Sequence, residues 1–316
     1  MTGGVFLGGK RAQGRILRHE RKRPILKRGW QVPQKAFVLL RKNDPLRMAG
    51  ATAFFTSFSL PFILIILIQL FGLVLNPGKL SDHLFRSLSY ILGHPGVRQI
   101  RDTLQGFQKL ATNTYMAVGG FIFLLFVVTT LFKVIKDSIN QLWEVQITEG
   151  RLGDTLLPRL RAILLIVLAG LLFLVDLAGE AFLVVLRNSI SGLGSGTGHV
   201  LYFILQQLIS FVIVTGWIAV LFLYLPDGRF SFGVTCTGAL LTGALFTGGK
   251  FFLGWLLLSS NIKRLYGAAG SFVIVLLFLF YISLILYYGA AFTAAWAAYR
   301  KDPVRPAAHA RRVANS

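Results

Sequence analysis

Six long apolar runs constrain this chain more than any other feature of its sequence. An α-helix needs about 20 mostly apolar residues to cross a bilayer, and each run is close to that length or longer. Hydrophobic residues make up 54% of the 316 residues, whereas charged residues make up 14% and lie mostly between the runs. The sequence therefore predicts an all-α integral membrane protein with six transmembrane helices, over about 48–75, 115–132, 162–186, 200–225, 231–258 and 267–299.

Lysine and arginine are distributed unevenly between the two sides of the predicted membrane. If the N-terminus is cytoplasmic, the cytoplasmic segments hold 24 of the 33 basic residues and the outer segments hold eight. The positive-inside rule then orients both termini toward the cytoplasm. The predicted organisation is a basic cytoplasmic segment over 1–47, a six-helix transmembrane domain over 48–299 and a basic cytoplasmic tail over 300–316.

The net charge of +21 indicates contact with membrane lipids rather than with nucleic acid. A basic segment beside a membrane is attracted to anionic head groups by about 1 kcal/mol per residue, and the chain carries no aromatic-interleaved motif typical of nucleic-acid binding. The stretch "VPQKAFVLLRKNDPLRM" (32–48) has an apolar group at Ala36, Phe37, Leu39 and Leu40, just before the first span. This pattern predicts an interfacial helix.

The long outer connection between the first two spans carries two amphipathic patterns, separated by "GHPG" (93–96). Each pattern places its apolar residues on one helical face, and the Gly-Pro pair breaks the helix between them. We therefore expect an outer helical hairpin over 80–112. Two interpretations stay open: the hairpin covers the outer mouth of the bundle, or both helices lie on the membrane surface.

Two acidic residues, Asp176 and Glu180, lie one helical turn apart inside the third apolar run. A carboxylate at mid-membrane costs about 2.5–3.5 kcal/mol, so such residues usually face protein or water and have a partner. Lys250 lies at a matching depth in the fifth run. We expect it to pair with Glu180, Asp176 or both. The resulting cluster is either a polar clamp that sets helix register or a site that carries a proton or a cation.

Other polar and small residues in the spans predict helix packing or a pathway. Small residues repeat every four positions on the fifth helix, as they do where helices pack closely; they are Thr235, Ala239, Gly243 and Thr247. The first helix carries Thr52, Thr56, Ser59 and Pro61, and hydroxyls often bond the carbonyl that a proline leaves free. Gln206 and Gln207 either line an outer cavity or meet the interface. Three tyrosines of the last helix favour the aromatic belt over a lumen; they are Tyr281, Tyr287 and Tyr288.

The sequence carries no motif that would identify an enzyme. Because Cys236 is the one cysteine, neither an intrachain disulfide nor a cysteine metal site can form. The five histidines are scattered, with no carboxylate at ligand spacing, and no GxxxxGK[ST] phosphate loop is present. We therefore expect a protein that is not an enzyme and that binds no metal and no cofactor.

Several segments resemble the YihY/BrkB family of bacterial inner-membrane proteins, once labelled ribonuclease BN. They lie between Met48 and Trp296 and read "ATAFFTSFSLPFILI", "SINQLWEV", "LPDGRFSFG", "GALLTGALFTGGKFF" and "LYGAAGSFVIVLLFLFYISLILYYGAAF". The last three, in this order, are the specific part, and Lys250 falls on the family's helix lysine. The resemblance implies six spans in the bacterial cytoplasmic membrane. The chain departs from the family at Ala291, where the family tends to have a glutamate after Gly-Ala.

We predict a membrane transporter or permease of unknown substrate, coupled to a proton or a cation through Asp176, Glu180 and Lys250. Three spans in each half would give the two halves opposite orientations, as inverted-repeat transporters require. The alternative is a lipid transporter, or a protein that organises the bacterial envelope without transporting. The sequence indicates no oligomeric state.

Overall fold

The computed structural model describes residues 31–72, 114–147, 195–259, 270–307 and 310–312, with a few residues between 78 and 106 and between 168 and 175. The long elements of this part are helices, and the strands are very short. In chain order they are α1 (Gln31–Lys42), α2 (Pro45–Gly72), α3 (Thr114–Leu142), β1 (Val145–Ile147), α4 (Ser195–Tyr224), β2 (Gly228–Arg229), α5 (Phe232–Ser259), α6 (Gly270–Arg300), β3 (Arg305–Pro306) and β4 (Ala310–Arg312).

Apolar helices long enough to cross a membrane form the body of the protein. In the described part, three segments meet that requirement: Phe203–Tyr224, Phe232–Lys250 and Phe272–Arg300. The prediction of a helical membrane protein is confirmed, with the addition of two small antiparallel sheets that the sequence did not indicate. The predicted third span, 162–186, lies outside the described residues apart from four positions.

The helix before the first span is shorter than its pattern suggested and packs against protein. It ends at Lys42, and Asp44 adopts a left-handed conformation (φ 51°) before Pro45 begins α2; proline is favoured at a first helical position because its fixed φ suits the helix. The buried residues of α1 recur every four positions; they are Val32, Ala36 and Leu40. Helix α1 contacts α6 along this face. Phe37 and Val38, on the other side, are exposed, as an interfacial helix requires.

The second apolar run continues as a helix for ten residues past its predicted end, to Leu142. Lys133 and Lys136 interrupt the apolar composition, but Ile135, Ile139 and Leu142 are buried and continue one face of the helix. The predicted span, 115–132, ends where the apolar composition ends, whereas the helix continues as far as the periodic buried face does. The additional turns extend beyond the apolar part of α3, and their polar side chains Lys136, Ser138 and Asn140 are buried within the protein.

The last helix, α6, is the centre of the packing. It contacts α1, α2, α3 and α5, while α4 contacts α5 and α2 contacts α3. One cluster of buried apolar residues joins all six helices, α1 to α6, of the described part. A second cluster joins α2 and α6 to five residues of the connection between α2 and α3: Leu84, Phe85, Val97, Ile100 and Leu104. The described part of this connection therefore packs on the helices, with the Arg101 guanidinium 4.6 Å from the centroid of the Phe85 ring.

Residues 301–307 and 310–312, which we call the C-terminal strap, run back across one end of the bundle. Strand β3 pairs with β2, placing Arg305 opposite Arg229, and β4 pairs with β1, placing Arg311 opposite Gln146. The strap therefore joins the turn after α3 to the turn between α4 and α5. We call this end, where α1, both turns and the strap meet, the capped end.

Candidate functional site at the capped end

A buried ion pair lies at the capped end. The Lys136 ammonium nitrogen is 2.9 Å from Oδ2 of Asp227, and the Asp227 side chain is fully shielded from solvent. The Asn140 amide nitrogen donates to the same carboxylate at 2.8 Å, and the Asp227 backbone N–H donates to Asn140 Oδ1 at 2.9 Å. We call Lys136, Asn140 and Asp227 the Asp227 cluster. Its paired charges and reciprocal amide bonds satisfy the conditions under which a carboxylate tolerates burial.

Local sequence explains why these three groups meet. Lys136 and Asn140 are four residues apart on α3, so they share one face of the helix. On the other side of the contact, Pro226 follows α4 and cannot continue it, so the chain turns and presents Asp227. A side chain at Gly228 would meet methyl groups of Val145 and Val304 at 2.7 and 2.8 Å. The turn can therefore approach β1 and the strap this closely only because Gly228 has no Cβ.

A second polar contact lies on another face of α3. The Tyr287 hydroxyl is hydrogen-bonded to the hydroxyl of Thr52 and to the side chain of Ser138, and Tyr287 is completely buried. Nearby, the Trp143 indole N–H donates to the Ala290 carbonyl at 3.0 Å. Helices α2, α3 and α6 are thus joined by directed hydrogen bonds as well as by apolar packing.

The strap is attached to the same region by polar contacts. The Ala307 N–H donates to the Asp227 carbonyl at 2.7 Å, and the Ser231 N–H donates to Asp302 Oδ2 at 2.8 Å. The strap begins at Lys301, which adopts a left-handed conformation (φ 57°) immediately after α6. The Lys301 and Asp302 N–H groups bond carbonyls of the last turn of α6, which is the Schellman pattern that ends a helix.

The Asp302 contact has an electrostatic consequence. Hydrogen bonds from the Ser231 hydroxyl and then from the Ser231 backbone N–H hold the pKa of Asp302 below its ordinary value of 3.8. These donors favour the charged carboxylate over the protonated acid. At neutral pH, Asp302 is therefore an anion that fastens the strap to the start of α5.

A cavity of about 920 Å³ lies at the capped end, between α1, the turn after α3, the end of α6 and the strap. Apolar residues line most of it, together with Lys35, Glu144, Lys301 and Asp302. The described residues contain no group of three or more His, Cys, Asp or Glu side chains placed to hold a metal ion. The cavity lining therefore combines side chains of both charges with apolar surface.

Three residues that the sequence predicted as site residues, Lys250, Gln206 and Gln207, lie away from the capped end, farther along the helices. Asp176 and Glu180 fall outside the described residues, so their pairing with Lys250 stays a prediction. Lys250 is half-buried in α5. Of the two glutamines, Gln206 is half-buried and the buried Gln207 Oε1 has no hydrogen-bond partner among the described residues.

The small-residue and hydroxyl positions line helix contacts. A Cβ on Gly243 would overlap the Thr215 hydroxyl of α4, so this glycine allows α4 and α5 to approach closely, and Thr247, one turn on, is half-buried. On α2, Thr52 and Ser59 are buried. Thr56 donates to the Thr52 carbonyl at 2.6 Å, and the helix continues through Pro61.

The preference for the aromatic belt is wrong for Tyr287, which is buried against Thr52 rather than at the interface. Tyr281 and Tyr288 are half-buried, and the Tyr288 hydroxyl donates to the Pro33 carbonyl of α1 at 3.3 Å. Tyrosines one residue apart thus have different environments, because adjacent positions on a helix differ by about 100°.

The Asp227 cluster is not among the sites that the sequence predicted. Two of its members lie in segments that carry the family resemblance, Asn140 in "SINQLWEV" and Asp227 in "LPDGRFSFG", whereas Lys136 precedes the first of these segments. The available signal was an Asp-Gly turn between two spans together with a lysine and an asparagine one turn apart beyond the second span. That pattern indicates polar groups that can meet at one end of a bundle.

One family model matches this chain, over residues 36–314; it is described as Virulence factor BrkB. The matched region includes α2 to α6, both sheets and all three members of the Asp227 cluster. No curated protein and no solved structure matches the chain.

Proposed function

The chain belongs to the BrkB virulence factor family of membrane proteins, and from this premise we propose that it is a transporter or permease. The substrate is unknown, and the proposed coupling ion is a proton or another cation. Because nothing in its sequence supplies the groups of a hydrolytic or phosphoryl-transfer site, we propose that it is not an enzyme. It would act by changing which end of the helix bundle is open.

The observation that carries this proposal is the position of Lys250. It is the last residue of the segment Phe232–Lys250, which is long and apolar enough to cross a membrane. It lies about 27 Å along α5 from Phe232 at 1.5 Å per residue, and α5 continues beyond it to Ser259. An ionisable group inside a span is costly to insert and usually serves an ion or substrate pathway. The predicted acids of the third span, Asp176 and Glu180, would complete a titratable cluster with it.

We further propose six spans, with the capped end on the cytoplasmic side of the bacterial inner membrane. The basic residues support this orientation. The described residues of the capped end come from the segments 1–47, 133–161, 226–230 and 300–316, which together hold 24 of the 33 basic residues, and cytoplasmic segments favour Lys and Arg. The basic N-terminal segment would then lie near anionic head groups, which are its proposed partners. We propose no nucleic-acid partner.

A lipid transporter is the second candidate, and one observation favours it. Large apolar side chains are exposed along α4, including Phe203, Ile204, Leu208 and Val212. Such a surface accommodates acyl chains. It is also the ordinary surface of a membrane-spanning helix, so only an assay of lipid movement separates the two candidates.

Both candidates can be tested in one preparation. The full chain is reconstituted into liposomes of phosphatidylethanolamine and phosphatidylglycerol that hold a pH-sensitive dye and a fluorescent phospholipid. A potassium diffusion potential drives ions, while a membrane-impermeant reductant reports lipid exchange between the leaflets. A proton or cation path that operates without a second substrate gives dye signals above those of empty liposomes, and these signals are lost in Asp176→Asn or Glu180→Gln. A lipid transporter gives faster lipid exchange instead.

The possible results separate the hypotheses. Ion movement that is equal in both acid variants and in the unchanged chain removes these acids from the mechanism. Dye and lipid signals equal to those of empty liposomes would refute both an ion path of this kind and lipid transport.

A further inference from the structure

The Asp227 cluster joins elements that are distant in sequence and meet only at the capped end. Asn140 on α3 and Asp227 in the α4–α5 turn are 87 positions apart. The side chains of Lys136 and Asp227 are only 10% and 0% exposed, so water does not separate them. Any movement that parts α3 from the α4–α5 turn must therefore break this ion pair and both hydrogen bonds of Asn140.

The strap closes over the same contact. Its residue Ala307 bonds the carbonyl of Asp227 itself, and its strands pair with β1 on one side of the cluster and with β2 on the other. These strands are only two or three residues long. The strap therefore holds the two turns together through a small number of backbone hydrogen bonds.

The energetics of a buried ion pair suit an element with two states. Closing the contact removes two charges from water, and this desolvation cost offsets much of their attraction. Opening it separates the charges but returns both to water. The closed and open arrangements can therefore lie close in free energy, whereas opening an apolar helix contact would have no comparable compensation.

We propose that the Asp227 cluster, together with the C-terminal strap, is the gate that closes the transport path at the capped end. This inference rests on the proposed transport function. In the closed state, Lys136 and Asn140 hold the α4–α5 turn against α3, and the strap covers it. In the open state, the turn and the strap move away from α3, and water reaches the interior of the bundle.

The first test measures access of water to the interior, which needs no substrate. Ala239 is completely buried in α5, about 10 Å along the helix from its start at the capped end. In a Cys236→Ser background, Ala239→Cys supplies a single thiol. The probe is a charged, membrane-impermeant maleimide added to membrane vesicles in which the capped end faces outward.

Breaking the gate should increase labelling. We expect Asp227→Asn, which keeps the shape but removes the charge, to raise the labelling rate about tenfold or more, because a buried charge left unpaired favours the hydrated state. The matched control is Asp137→Asn, which neutralises the neighbouring exposed acid of α3. Its labelling rate should equal that of the parent.

The second test locks the gate instead of breaking it, so it does not depend on a destabilised variant. Gln146 and Arg311 are exposed and directly opposite each other in β1 and β4. In the Cys236→Ser background, Gln146→Cys with Arg311→Cys can form a disulfide across these strands. Oxidation should cut dye-reported flux in liposomes to about a tenth or less, and a thiol reductant should restore it; Gln146→Cys alone should be insensitive to both treatments.

The outcomes distinguish the gate from the transport function. Equal labelling of Ala239→Cys in the parent, Asp227→Asn and Asp137→Asn, or flux that is unaffected by the oxidised pair, would overturn the gate. If the parent chain gives no flux at all, the proposed proton or cation path fails. In that case the labelling rates still decide whether the capped end opens.

Discussion

Removal of one buried hydroxyl should reveal how strongly the capped end is held together. Tyr287→Phe deletes the group that is hydrogen-bonded to Thr52 of α2 and to Ser138 of α3. Tyr287 is 0% exposed, so water cannot replace the lost bonds. Leaving a buried polar partner unsatisfied costs about 1–3 kcal/mol, and we expect the free energy of unfolding to fall by that amount.

A double-mutant cycle isolates the Tyr287–Thr52 contact from the other effects. Interhelical hydrogen bonds in membrane proteins couple by about 0.6 kcal/mol on average and about 1.7 kcal/mol at most. We therefore expect Tyr287→Phe and Thr52→Val to show a coupling energy in this range. The assay is reversible unfolding in mixed micelles by a denaturing detergent, followed by tryptophan fluorescence.

Tyr288→Phe is the matched control. The Tyr288 hydroxyl donates to the Pro33 carbonyl at an exposed site, where water can replace the bond. Loss of this hydroxyl should therefore change the free energy of unfolding by less than about 0.5 kcal/mol. A coupling energy near zero, or a Tyr288→Phe variant as unstable as Tyr287→Phe, would contradict the reasoning.

Three further changes test other parts of the structure. Gly238→Val should destabilise the protein by about 1–3 kcal/mol, because a Cβ there overlaps the facing threonine of α6; Gly248→Val, which meets no atom within 4 Å, should cost less in the same unfolding assay. Lys301→Gly should stabilise by up to about 1 kcal/mol, since Lys301 holds a positive φ that favours glycine; a lower unfolding midpoint would contradict this. Because the pKa of Asp302 is lowered in the folded state, its contribution is present above the ordinary carboxyl pKa and is lost as the pH falls through the lowered value. As the pH falls below 3.8, cleavage of the strap by pepsin, relative to cleavage of an unfolded reference substrate, should therefore rise more in the unchanged chain than in Asp302→Asn; an equal rise in both would contradict it.

The parts of the fold that depend on composition were predictable. The runs that became α4, α5 and α6 are apolar for more than 20 residues, and their ends differ from the predicted ones by five residues or fewer. Such helices satisfy their own backbone hydrogen bonds, so the bilayer requirement alone nearly determines them. The far end of α3 was missed because two lysines interrupt its apolar run, although the buried face continues to Leu142.

The capped end was not predictable for a different reason. Strands of two or three residues have no periodicity to recognise, and their partners lie far away in the sequence. The ion pair between Lys136 and Asp227 likewise depends on where α3 and the α4–α5 turn meet. Each residue alone reads as an ordinary polar group just outside a span. Tyr287 illustrates the same problem, since the sequence does not say which tyrosine faces Thr52.

The position of Lys250 within a span is the central support for transport, and one comparison tests it most directly. Lys250→Met and Lys133→Met are each reconstituted, and potential-driven flux is measured with the internal pH-sensitive dye. Both changes remove one positive charge, but Lys133 is exposed on α3 beyond the predicted span. We predict that flux is lost in Lys250→Met and kept in Lys133→Met. Equal flux in both variants and in the unchanged chain would contradict a transport role for this lysine.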